Sequence, residues 1–70
     1  MAPTTKKEWL EDIVGNRRTL AEAKEGRFHR MRELHDAGSV SEGDVEAASY
    51  AWLEAEIDYA QAQIALLDAS

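Results

Sequence analysis

A chain of 70 residues without cysteine makes at most one small domain, excludes disulfides and thiolate metal sites, and leaves room for only a limited core. A net charge of −6 and a pI near 4.7 argue against binding to phosphate backbones. All eight Lys and Arg precede residue 33, whereas Glu42, Asp44, Glu46, Glu54, Glu56, Asp58 and Asp68 follow Gly38 with no cation among them. The acid-only second half reads first as a solvated helix surface and second as a face that meets a basic partner.

The opening "MAPTTKKEWLEDIVGN" holds no apolar stretch of signal-peptide length, and no run approaches the roughly 18 apolar residues of a membrane span. The expectation is a cytoplasmic protein with no membrane contact. Residues 1–4 read as a disordered tail and 5–70 as a single helical domain. Thr5, with Glu8 three residues on, has the capping-box pattern that starts a helix just after Pro3. Good helix formers then run to Ala37, and Gly38 stands where a left-handed C-terminal residue belongs. Gly15 and Gly26 each weaken this first helix by roughly 1 kcal/mol relative to alanine, and they mark places where it could bend.

The joint "LHDAGSVSEGDVEAA" carries a stronger start signal. Ser41 can accept the Asp44 amide hydrogen while the Asp44 carboxylate reaches back, and Val40 with Val45 has the spacing of a hydrophobic staple. Glu42 and Asp44 also suit the positive end of the helix dipole. Nothing breaks the second helix before Ala69. The loop is short enough to force the two helices antiparallel. The expected fold is therefore all-α, an antiparallel two-helix hairpin over about 5–37 and 42–69.

Two apolar stripes run along the second helix with alternating three- and four-residue steps. The first is Val45, Ala48, Trp52, Ala55, Tyr59, Ala62 and Leu66. The second is Tyr50, Leu53, Ile57, Ala60, Ile64 and Leu67. The first helix offers a leaner line, Leu10, Ile13, Arg17, Leu20, Lys24, Arg27, Met31 and Leu34, with Trp9, Val14, Ala21 and Phe28 beside it. Folding at Ser39 aligns Leu34 with Val45, Arg27 with Trp52, Leu20 with Tyr59 and Arg17 with Ala62. A lone hairpin would leave the second stripe uncovered, which is a liability for a soluble chain. The economical expectation is self-association, most simply a homodimer forming a four-helix bundle with the second helix at its centre.

Chemistry is thinly represented. His29 shares a helix face with Glu25 and Glu33, a set that could hold a metal ion. The spacing of di-iron bundles is absent, however, and the second helix supplies no histidine. The plainer reading is a salt-bridged, solvated face. His35 and Asp36 read as partners of the helix end. No phosphate loop, nucleophile elbow or pair of buried carboxylates occurs, so neither an enzyme nor a cofactor is expected.

The string "RMRELHDAGSVSEGDVEAA" resembles the tip of the α-helical hairpin in periplasmic adaptor (membrane-fusion) proteins of tripartite efflux pumps. The following "DVEAASYAWLEAEIDYAQAQIALLDA" is similar to helices of those adaptors and of the outer-membrane channels they meet. The resemblance covers about Leu20 to Ala69; no lipoyl or β-barrel portion accompanies it in these residues. It implies a docking role for Arg30, Leu34 and Ser41, which keep the family's spacing. The short C-terminal helical domain of many bacterial proteins has a similar string, and the physics of a capped, stapled hairpin is common to all of them. On the residues themselves the expected function is protein–protein interaction, as a regulator, inhibitor or assembly factor. Two other expectations stand beside it: adaptor-like docking on a helical channel, and an acidic mimic or antitoxin-like protein binding a basic partner through Glu54, Glu56 and Asp58.

Overall fold

A computed structural model describes residues 5–69. The expected tail at 1–4 lies outside the described residues. Two helices account for nearly everything else: α1, Lys6–Asp36, and α2, Glu42–Asp68, packed against each other as an antiparallel hairpin. No strand occurs among the described residues.

The helix ends follow the local chemistry of the sequence. At the start of α1 the Thr5 hydroxyl accepts the Glu8 amide hydrogen at 3.1 Å. At its end Gly38 takes φ +81, a left-handed conformation that a Cβ would oppose. That turn lets the Gly38 amide donate to the His35 carbonyl at 2.9 Å and the Ser39 amide to Leu34 at 2.8 Å, the paired bonds of a Schellman motif. His35 closes the joint further, its Nδ1 donating to the Val40 carbonyl at 3.0 Å. The expected partner of the helix end is thus a loop-bracing side chain. At the start of α2 the capping box is complete. The Asp44 amide donates to Ser41 Oγ and the Ser41 amide to Asp44 Oδ2, both at 3.2 Å.

Between the helices the seam is thin. Leu10, Val14 and Ala21 of α1 and Ala48, Ala55 and Ala62 of α2 are the buried apolar residues, and no polar side chain is buried among the described residues. On α2 this is the first stripe of the sequence, its alanines inward and Val45, Trp52, Tyr59 and Leu66 half-buried at the margin. On α1 the outcome differs. Leu20 and Leu34 are exposed, and the buried line runs through Val14 and Ala21 toward Phe28. Phe28, rather than Arg27, meets Trp52, the rings stacked with centroids 5.4 Å apart. Tyr59 meets Arg18 instead of Leu20, and Arg17 reaches Asp58, one turn before Ala62.

Desolvation explains the rotation. The expected line would have buried the charges of Arg17, Lys24 and Arg27 against an alanine seam offering no partner, at several kcal/mol each. Turning α1 by about one residue substitutes Val14, Ala21 and Phe28, and leaves Arg17 and Arg27 exposed with Lys24 half-buried.

The hairpin is an elongated single layer, 53 × 24 × 11 Å. Its radius of gyration is 16.1 Å, against about 11 Å for a compact domain of this length.

Candidate functional site

A continuous apolar line runs along the outside of α2. Tyr50, Ile57 and Ile64 stand seven residues apart on α2, as do Leu53, Ala60 and Leu67, so the two sets make one knob line. All six are exposed, from Leu53 at 49% to Leu67 at 73% among the five large side chains. Each seven-residue step of the line starts two residues after a buried alanine, Tyr50 after Ala48 and Ile57 after Ala55. Two residues are about 200° of helix rotation, so the line faces away from α1.

The acids expected to meet a basic partner do not form one face. Asp58 turns toward α1 and pairs with Arg17 at 3.7 Å, both about half-exposed, a contact worth under about 1 kcal/mol. Glu56 lies on the other side, accepting the Trp52 indole hydrogen at 3.2 Å. The Glu54 side chain makes no hydrogen bond or ion pair among the described residues. It flanks the apolar line on the Asp58 side.

The residues carried by the adaptor resemblance divide in the same manner. Ser41 is occupied as the N-cap of α2, and the Leu34 carbonyl is engaged by the Schellman turn while its side chain is 37% exposed. Arg30 is exposed on α1. Ser41 therefore has a structural duty that accounts for it without a ligand.

On one broad side of the hairpin lies an aromatic cluster that the sequence pattern did not single out. His29 leans on both Phe28 and Trp52, with centroids at 5.5 and 6.1 Å, and Arg32 covers the other ring partner, Phe28, at 5.7 Å. Two turns of α2 beyond Trp52, Arg18 Nε donates to the Tyr59 hydroxyl at 3.0 Å, and Gln63 donates to the same oxygen at 3.1 Å. The Tyr59 hydrogen bond, and after it the charge of Tyr59, pushes the Arg18 pKa above its ordinary value. A group already cationic throughout the neutral range gains no new charge from that shift. The signal for the cluster was the fold-back register, which brings Phe28 and Trp52 level.

The opposite broad side carries two open grooves, one of about 440 Å³ bordered by Lys24, Arg27, Met31 and Ala47 and another of about 350 Å³ bordered by Trp9, Ile13 and Ala65. Asp44 also lines the first, and the Arg17–Asp58 pair with Gln61 lines the second. His29 Nε2 stands 3.9 Å from Glu25, and no group of three or more His, Asp or Glu is placed to hold a metal ion among the described residues. Among the same residues, no helix is long and apolar enough to cross a membrane. Comparison with protein-family models, curated proteins and solved structures gave no match. The site with most to explain is thus the outer line of α2.

Proposed function

We propose that the chain acts through protein contacts, as a small regulator, inhibitor or assembly factor, and that it self-associates along the outer line of α2. The observation that carries this reading is the exposure of Tyr50, Leu53, Ile57, Ile64 and Leu67 on one uninterrupted line. Exposed apolar residues scattered singly are ordinary; a continuous line of them is an interaction surface.

Surface area supports the same reading. The chain exposes 5298 Å², whereas a compact monomer of its mass exposes about 4,400 Å². A seam made mainly of alanines also gives a lone hairpin little to stabilise it, and chains this small commonly gain their stability by association. A homodimer is the smallest assembly that covers the line.

Sedimentation at micromolar concentration tests the reading. The wild-type chain should run above its monomer mass of 7.8 kDa, and Ile57→Glu or Ile64→Glu should run at it. A wild type that sediments as a monomer at every concentration, with the variants unchanged, sinks the proposal.

A further inference from the structure

The large apolar side chains that the hairpin leaves exposed fall on two lines. One is the outer line of α2; the other, on α1, is Trp9, Leu20 and Leu34, joined by half-buried Ile13. Ile13, Leu20, Arg27 and Leu34 keep seven-residue steps, and Trp9, Asn16, Ala23 and Arg30 complete the alternate positions, so α1 has a second knob line of its own.

The two lines differ in charge. Arg27 and Arg30 stand within the α1 line and Arg17 and Lys24 along one flank, outweighing Asp12 and Glu33 on the other. The α2 line continues toward the joint as Glu46, has Glu54, Glu56 and Asp68 on its flanks, and has no cation in the whole helix. Apolar matches apolar, and basic matches acidic.

Resting on the self-association reading above, we propose that hairpins assemble side by side and head to tail, the outer line of α1 in one copy lying antiparallel on the outer line of α2 in the next. With the joints level, as they are within one hairpin, Leu20 comes opposite Ile57 of the neighbouring copy, Ile13 opposite Ile64, Trp9 opposite Leu67, and Arg30 opposite Glu46.

Two alternatives fit less well. Packing α2 against a second α2 would bring two acid-only helices together and leave Trp9, Leu20 and Leu34 uncovered. A closed, reciprocal four-helix bundle needs the two apolar faces of every helix about a right angle apart. On α1 the faces are one residue apart, as Leu20 and Ala21, which is about 100°. On α2 they are on opposite sides. A repeated contact of unlike surfaces, closing as a ring or continuing as a filament, covers both lines in every copy.

A mixing experiment decides between these arrangements. Leu20→Glu spoils the α1 line alone and Ile57→Glu the α2 line alone, so each variant should be monomeric by sedimentation with light-scattering mass. Mixed one to one, they retain a single intact contact and should give a defined heterodimer of twice the monomer mass, with any helicity lost by circular dichroism restored in the mixture. If Leu20→Glu still self-associates while Ile57→Glu does not, an α2–α2 contact is present and the head-to-tail arrangement is overturned. A mixture that stays monomeric although its chains are helical overturns it as well. A wild type that is itself monomeric overturns the self-association reading before either variant is needed. Should the glutamates prove unfolded even when mixed, Leu20→Ala and Ile57→Ala replace them, each expected to lower the assembled mass at a fixed concentration; unaltered assembly in Leu20→Ala overturns the proposal.

Discussion

Gly38 and Ser41 are the residues on which the hairpin turns, and each owes its role to one atom. Gly38 has no Cβ to oppose φ +81, and Gly38→Ala meets no neighbouring atom within 4 Å, so its effect is purely conformational. The expected loss is about 1–2 kcal/mol, read as a lower urea midpoint with an unchanged slope. Ser41→Ala removes the acceptor of the Asp44 amide and should lower stability by about 1 kcal/mol, whereas Ser41→Asp, which keeps an acceptor, should lose much less. If Ser41 instead served a partner, Ser41→Ala would fold with full stability. These two positions were legible in the sequence because capping and turn formation are decided within a few residues. Nothing distant competes with a glycine at a helix end or a Ser-x-x-Asp before an apolar run.

At the scale of the helix, legibility depends on how many apolar lines a helix offers. For α2 the inward line was readable, since alanines at 48, 55 and 62 are small enough for close approach and the larger residues flank them. For α1 two lines compete, Ile13–Leu20–Arg27–Leu34 and Val14–Ala21–Phe28, one residue apart. The first holds more large apolar groups, and spacing alone favours it. The second wins because it carries no cation into the seam, a penalty visible only once the facing helix is known to supply no acid there. Tight packing at that seam has a measurable consequence. Ala55, at 4% exposure, has no room for a larger side chain, so Ala55→Leu should destabilise the hairpin by about 1–3 kcal/mol. Gly15 is the converse case: a Cβ added there meets nothing within 4 Å, and the Thr19 hydroxyl bonds only its carbonyl. Gly15→Ala should therefore stabilise by about 1 kcal/mol, seen as a rise of roughly 4–8 °C in Tm for a chain of this size. A fall in Tm would mean that the glycine face of α1 is covered in the assembled protein.

For the whole molecule, folding and association are one equilibrium. A single layer 11 Å thick has no interior, and its seam buries only Leu10, Val14 and alanines beyond the margin residues. Helices in proteins draw most of their stability from packing an apolar face, and here the larger apolar faces of both helices point outward. Assembly then supplies stability that the hairpin lacks, and mass action makes that stability depend on concentration. Hundredfold dilution should remove about 2.7 kcal/mol per intermolecular contact, for protein well above its dissociation constant. Thermal unfolding followed by circular dichroism at two concentrations reads this directly. The wild-type midpoint should fall on dilution, while Ile57→Glu should unfold at a lower midpoint that dilution does not move. A wild-type midpoint independent of concentration would show that the alanine seam suffices alone, and the outer lines would then have to be reserved for a different protein. The presence or absence of the dilution effect thus separates a chain that completes its fold with its own copies from one that waits for a partner.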